Sequence, residues 1–465
     1  MSRPVLPESA YEALGLSSDT IDILMNPESE PAIHAAPNLL QSDEDNARPI
    51  APNETSITLY SELLLHVRAV TLFASLRTNY NRETKAKLSA DGSCITVSHE
   101  GHIATIQLPI NVKGGGDAAL SLPSQPPSKE LTLRLQMEEK EGSGLLGALH
   151  GDERKVNIVP WDGASLDQMH NLEVVCKSCG EVIVPKDSVR QWRDLPNENW
   201  AEMMDFWHCH KPDEDHLLDH SHDAILGQKG YAAGNRLQAV AGVGFVDLTT
   251  FLLHESDCRG AQINAENCSQ QKIVVCKHCK HTLGYQDEAT EGWRIQKWSM
   301  VIMPFSSSNS PAIYSTPKWI SARLLYLIEN SGVRKFHIHP PSPCLPTQTG
   351  SSQTSIPSLL LWVFTPDLFY SSSIPSPRRH DPTRSLKVFY KQQTWQPLKP
   401  GDPESTTIED VYFTEHLFEE LISALEESQG LLPPTARQFQ GWDVGLLERF
   451  DVSDIARLDD KYRKN

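Results

Sequence analysis

The residues best suited to chemistry are two cysteine pairs and one isolated cysteine. Val174-Val175-Cys176-Lys177-Ser178-Cys179-Gly180 is echoed by Ile273-Val274-Val275-Cys276-Lys277-His278-Cys279-Lys280. Each is an apolar strand running into C-K-x-C. A thiolate is a soft, charged ligand, and Zn²⁺ takes four of them tetrahedrally. Two residues between the cysteines let both sulfurs of a pair reach one ion, and the second pair completes the shell. With every position filled by sulfur, Cys176, Cys179, Cys276 and Cys279 are expected to hold a structural zinc, with Lys177 and Lys277 offsetting part of the thiolate charge. The 96 residues between the pairs are too many for a compact zinc ribbon. They suit two hairpins brought together from distant parts of the chain. The alternative, two unrelated buried or redox pairs, does not account for the duplicated context, and no βαβ pattern surrounds either pair.

The isolated cysteine lies in Trp207-His208-Cys209-His210-Lys211-Pro212, after Leu195-Pro196-Asn197-Glu198-Asn199-Trp200. Asn199 to Phe206 has the spacing of one or two helical turns, with Trp200, Met203, Met204 and Trp207 on a broad apolar face. Cys209 would emerge at its end, where neighbouring histidines favour a thiolate by charge or by proton acceptance. The other reading is a small core cysteine beside a packing stripe. His216, His220 and His222 read as a solvated polar loop or a loose metal site.

The elements around these residues suggest an α+β chain. Its N-terminal and zinc-knuckle regions are β-rich and its C-terminal domain is α+β. Residues 1–55 mix Ser, Pro, Glu and Asp without periodicity and read as a disordered acidic leader. Residues 56–149 form an N-terminal β-domain, with strands over Ile57–Val67, Val70–Leu76, Cys94–Val97, Ile103–Leu108 and Leu131–Leu135. Residues 150–303 are the zinc-binding region, where a tryptophan follows each knuckle (Trp192, Trp293). In the C-terminal domain, 317–460, Pro317 opens a helix over Trp319–Ile328. Strands follow at Val333–Ile338, Leu359–Phe364 and Leu386–Tyr390, with a Ser/Thr/Pro/Gln loop over 340–357. Thr406 or Thr407 caps a helix reaching Glu427, with Leu417, Leu421, Ile422 and Leu425 buried. A short helix is expected over Val444–Phe450.

Composition bounds the function classes. The formal net charge is −18 over 465 residues, with no dense basic stripe, so direct nucleic-acid binding is not expected. Nine cysteines, four of them in C-x-x-C pairs, suit a reducing compartment better than a disulfide framework. No apolar run reaches the ~18 residues of a membrane span, and the N-terminus lacks a signal-peptide pattern. The expected location is cytosol and nucleus, with no membrane partner.

These motifs resemble the HECT-like ubiquitin-conjugating-enzyme-binding family. The matching residues are Cys176, Ser178, Cys179, Gly180, Glu181, Val182 and Ile183, then Leu195, Pro196, Glu198, Asn199 and Trp200, then Trp207, Cys209 and His210. The second knuckle matches in Val275 to Lys280 with Leu283-Gly284, and looser similarity runs through roughly residues 56–450. The resemblance implies a ubiquitin-protein ligase role, with a ubiquitin-conjugating enzyme and a cyclin as partners. It also implies binding to the endonuclease subunit of the pre-mRNA cleavage and polyadenylation machinery. There Trp200, Trp207, Cys209 and His210 would contact the partner, and Cys209 would reach and block the nuclease's own zinc centre. A HECT-type ligase needs a reactive cysteine in a mobile C-terminal lobe. Here the last cysteine is Cys344 and the 121 residues after it contain none. No catalytic residue is assigned, and any ligase activity is expected to be non-covalent, with the conjugating enzyme held on the zinc region.

Overall fold

The computed structural model of the chain describes residues 57–64, 69–112, 128–136, 157–169, 172–195, 237–264, 272–304, 311–340, 356–376, 379–395 and 405–455. The leader, the Trp200 to His210 segment with Cys209, and His216, His220 and His222 lie outside the described residues. What is described is β-rich with few helices, in keeping with an α+β chain.

The first strands are β1 (Ile57–Leu64), β2 (Ala69–Leu76), β3 (Lys85–Leu88), β4 (Cys94–His99), β5 (His102–Gln107) and β6 (Glu130–Gln136). Strands β3 to β6 alternate and bury one face, as in β4, where Ile95, Val97 and His99 are buried, whereas β1 and β2 are largely buried on both faces. Strands β1, β2 and β6 are neighbours in one sheet, and β3 to β5 form a second. Leu59, Val70 and Leu72 pack against Ile95, Val97 and Ile106 in a core between them. The β4–β5 turn places Glu100 and Gly101 at φ 49° and 81°. Two positive-φ residues make the tight turn whose twist matches the flanking strands.

The middle of the chain holds α1 (Gly163–Gln168), β7 (Glu173–Cys176), β8 (Val182–Val184), β9 (Gln191–Asp194), β10 (Val243–Val246), β11 (Thr250–Leu253), β12 (Ala261–Ile263), β13 (Ile273–Cys276), β14 (Thr282–Asp287), β15 (Gly292–Gln296) and β16 (Met300–Met303). The expected pair of hairpins is present. Strand β7 turns back into β8, with β16 on its other side, and β13 turns back into β14. The second hairpin belongs to a seven-stranded sheet ordered β12-β13-β14-β15-β11-β10-β9. Trp192 on β9 and Trp293 on β15 are both buried, so the tryptophan after each knuckle is a core residue of this sheet. Lys297 is fully buried. Its Nζ donates to the Trp161 carbonyl at 3.0 Å and lies 5.3 Å from the Phe251 ring and 5.9 Å from the Trp319 ring. Burial lowers its pKa to about 7.

The last elements are α2 (Thr316–Ser331), β17 (Lys335–His339), β18 (Ile356–Ser372), β19 (Thr383–Trp395), β20 (Glu409–Tyr412), α3 (Glu415–Leu431), β21 (Gln438–Phe439) and β22 (Trp442–Glu448). Proline in the first turn starts α2, and Gly332 at φ 73° ends it, its amide closing on the Ile328 carbonyl. The long strand β18 pairs with β17 near its start and with β1 near its end, while β19 runs along its other edge. Residues 57–136 and 335–448 therefore contribute to one nine-stranded sheet.

Two helix expectations are corrected here. The helix begins at Glu415, with Thr414 as its N-cap, and not at Thr407. Glu409–Tyr412 instead pair in parallel with β17, because Val411 and Phe413 fill the core from an extended backbone. Val444–Phe450 is not a helix: Trp442–Glu448 is a strand paired with β19. A Cβ on Gly445 would come within 2.7 Å of Leu425 Cδ2, so the glycine lets α3 lie close on the strand. Leu324, Phe336, Leu361, Val388, Leu421 and Leu425 form one core, and Val174, Cys176, Val274 and Cys276 belong to it. The knuckles are thus built on the same core as the C-terminal helices.

Candidate metal centre

Each knuckle is the turn of a β-hairpin, and the two turns are built alike. The Gly180 amide donates to the Cys176 carbonyl at 2.8 Å, and the Lys280 amide to the Cys276 carbonyl at 3.1 Å. The Cys176 and Cys276 amides donate to the carbonyls of Glu181 and His281 at 2.8 and 2.9 Å. Gly180 and Lys280 both take positive φ, 75° and 62°. This geometry turns the chain within the space of C-x-x-C, so both sulfurs of a pair face the same side. The hairpins are anchored by further backbone bonds, from the Lys177 amide to the Ser299 carbonyl and from the Lys277 amide to the Gly260 carbonyl.

The four sulfurs of Cys176, Cys179, Cys276 and Cys279 lie within 4.8 Å of one another. Cys176 Sγ is 3.8 Å from Cys279 Sγ, and Cys179 Sγ is 3.7 Å from Cys276 Sγ. A tetrahedron with metal–sulfur bonds of about 2.3 Å has edges of about 3.8 Å, so the spacing fits a four-thiolate ion. It is far too long for a disulfide, whose sulfurs sit ~2.05 Å apart. The first cysteine of each pair is buried, Cys279 is half-buried and Cys179 is exposed.

The electrostatics have the pattern of a site completed by a cation. Burial pushes the Cys176 thiol up to about 12, against the lowering effect of the Cys179 and Ser178 amides. Burial also raises Cys279, but the His281 amide and the three neighbouring thiols outweigh it and hold the group at about 7. Like charges brought this close oppose one another, and a divalent ion removes that obstacle. The knuckle lysines bond to neighbouring backbone. Lys177 Nζ donates to the Tyr314 carbonyl at 3.3 Å, just before α2, and Lys277 Nζ donates to the Arg259 carbonyl. The His281 ring meets His416 of α3 edge-on at 5.5 Å, which joins the second knuckle to that helix.

Comparison with known proteins places the chain by family. The profile described as HECT-like ubiquitin-conjugating enzyme (E2)-binding matches residues 62–444. The chain belongs to that family. It is 22% identical over 352 residues to an uncharacterized protein of Saccharomyces cerevisiae, spanning 74% of this chain and 87% of the relative. A Schizosaccharomyces pombe protein, also uncharacterized, is 24% identical over 303 residues, 63% of this chain and 78% of that one. An E3 ubiquitin-protein ligase of Bos taurus is 24% identical over 372 residues, 72% of this chain and 87% of the ligase. No solved structure matches the chain.

Proposed function

We propose that this protein is a docking platform for a ubiquitin-conjugating enzyme, held in shape by a structural zinc, and that it promotes ubiquitin transfer without carrying ubiquitin itself. The observation that carries the reading is the match to an E2-binding family over residues 62–444, a span that includes both knuckles. The similarity to a bovine protein named as a ubiquitin ligase supports it. The sulfur geometry supports zinc as the ion, because a soft tetrahedral set of four thiolates suits Zn²⁺ and leaves no open catalytic position.

The described cysteines offer little to a covalent ubiquitin intermediate. Of these six, four belong to the cluster and Cys94, on β4, is half-buried; Cys209, Cys268 and Cys344 lie outside the described residues. Cys258 is buried, and burial raises its thiol well above the ordinary range. A protonated, inaccessible thiol is a poor nucleophile. The test is to mix E2 loaded with ubiquitin and this protein and run a non-reducing gel. The proposal expects faster loss of the E2 thioester and no thiol-sensitive adduct on this chain.

A second role rests on Cys209. The cluster is complete with four sulfurs, which leaves Cys209 surplus to it. A thiolate offered to a partner nuclease's zinc would displace the water that the nuclease must activate. RNA cleavage by the reconstituted nuclease, titrated with wild-type and Cys209→Ser protein, tests this; equal inhibition by both removes Cys209 from the mechanism. Residence in both cytosol and nucleus accompanies these two roles and is tested by fractionation.

A further inference from the structure

The sheet carrying β17 to β22 has two unlike faces. One is covered by α2 and α3. On the other, pairing register aligns side chains from six strands. Lys335 lies opposite Trp362, Trp362 opposite Phe389, Phe389 opposite Val444, and Phe439 opposite Trp442. His339 lies opposite Tyr412 on the far strand of the same face. Directly paired residues project to the same side of a sheet.

This face is aromatic and partly bare. Phe364 stacks on Phe389 at 4.7 Å, and Phe389 stacks on Phe439 at 5.3 Å. Trp362 joins them edge-on, 5.5 Å from Phe364, and lies 6.2 Å from Trp442. Phe364, Tyr412 and Phe439 are 47%, 55% and 48% exposed, and they are the exposed large aromatics among the described residues. Phe364 and Phe439, both stacked on Phe389 above a packed aromatic floor, mark an interaction surface rather than scattered surface residues, while Tyr412 stands apart at the other end of the face against His339.

The charge on the same face narrows the partner. Lys335 Nζ lies 5.1 Å from the Trp362 ring, and Lys391 Nζ lies 4.6 Å from the Trp442 ring. The chain as a whole is acidic, at −18. Two ammonium groups over the half-buried Trp362 and Trp442 rings therefore form a local exception, and the carboxylate on the edge strand of the face, Asp410, lies 3.5 Å from His337. They complement a protein surface in which an apolar knob is flanked by carboxylates. The overall charge opposes a polyphosphate strand, which would need many more cations along its path.

We infer that this aromatic, lysine-flanked sheet face is where the ubiquitin-conjugating enzyme docks. The inference rests on the E2-binding reading above and gives that reading a location. The bare rings supply the apolar anchors, and Lys335 and Lys391 select the carboxylate-flanked surface. The floor of the interface is strand backbone packed on α2 and α3, so the rings are presented rigidly.

The test measures binding of the full chain to a panel of ubiquitin-conjugating enzymes by biolayer interferometry. Three variants are compared with wild type on the enzyme that wild type binds. Phe364→Ser with Phe439→Ser should weaken binding by at least roughly tenfold, as for loss of interface anchors. Lys335→Glu with Lys391→Glu should also weaken it, more so at low salt. Ile103→Ser, at a 62% exposed position on β5, should leave it unchanged. Unchanged binding in both face variants overturns the location while leaving E2 binding intact. Should the phenylalanine variant fail to fold, the lysine reversal decides alone, since those side chains lie outside the core. A wild-type chain that binds no enzyme of the panel overturns the E2 reading and the location with it. A single-stranded RNA probe is run in parallel. RNA binding lost in the variants, with E2 binding kept, would assign the face to nucleic acid and overturn the inference.

Discussion

Replacing Cys176 by serine should unfold the region that the two knuckles hold together. Cys176 is 1% exposed at the end of β7, and its partner sulfur Cys279 Sγ stands 3.8 Å away on the other knuckle. An ion between them would close a loop of about 100 residues, and cross-linking a loop of that length removes about 4–5 kcal/mol of chain entropy from the unfolded state. A serine hydroxyl does not replace a thiolate on Zn²⁺, so most of that contribution should disappear. The variant should bind less than one ion per chain by elemental analysis. Tryptophan fluorescence should follow the loss, because Trp192 and Trp293 are buried in the sheet that carries the second knuckle. Its urea midpoint should fall, and a strong chelator should move wild type to the same midpoint. Cys94→Ser, on β4 and away from the cluster, is the control and should keep its metal. Purified wild type that is metal-free and indifferent to chelator would refute the reasoning.

Other outcomes follow from packing and charge. A Cβ on Gly284 would fall on the Arg294 carbonyl and within 3.0 Å of Ile295 Cα, both backbone, so Gly284→Ala should force β14 and β15 apart. We expect a loss of about 1–3 kcal/mol and weaker metal retention, measured by urea unfolding and zinc content. Lys387 Nζ bonds Glu62 Oε2 at 2.9 Å and links β19 to β1, so Lys387→Met should leave the Glu62 carboxylate without a cation at a mostly buried site, with the Tyr60 hydroxyl at 3.2 Å as a remaining donor. The expected cost is about 3 kcal/mol, whereas a reverse-polarity pair, Glu62→Lys with Lys387→Glu, should recover part of it. Lys297 has its folded pKa depressed to about 7, so between that value and its unfolded pKa the unfolded chain binds more protons. Stability should therefore rise with pH above 7, by up to about 1.4 kcal/mol per unit. That slope should be absent in Lys297→Met, with urea unfolding at pH 7 and pH 9 as the comparison.

The parts of the molecule legible in the sequence are those whose geometry is local. C-x-x-C fixes two sulfurs on one turn whatever surrounds it, so the knuckle residues could be named, and the repeated V-V-C context announced that the two turns pair. Strands β3 to β6 show the alternation that a half-buried strand imposes. The helix at Thr316–Ser331 carries proline and glycine at its ends. What depends on distant partners was hidden. Val411 and Phe413 fit the spacing of the helix that follows them, and only the parallel neighbour β17 makes their segment extended. Val444 to Leu447 are buried on both faces of β22, which leaves no period of two to read. Leu359 to Phe364 looks like a strand buried on both sides, and so conceals that Trp362 and Phe364 lie on an open face. No local signal marked Lys297, charged by type and buried by the meeting of Trp161, Phe251 and Trp319.

The central claim is that this chain holds a loaded ubiquitin-conjugating enzyme and speeds its discharge without taking the ubiquitin. The most direct measurement is single-turnover discharge of an E2–ubiquitin thioester to free lysine, followed on non-reducing gels with and without the zinc-loaded protein. The account predicts a faster loss of the thioester, saturable in this protein, with no ubiquitin adduct on its own cysteines. An unchanged discharge rate across the E2 panel, or a thiol-sensitive ubiquitin adduct on this chain, would contradict it.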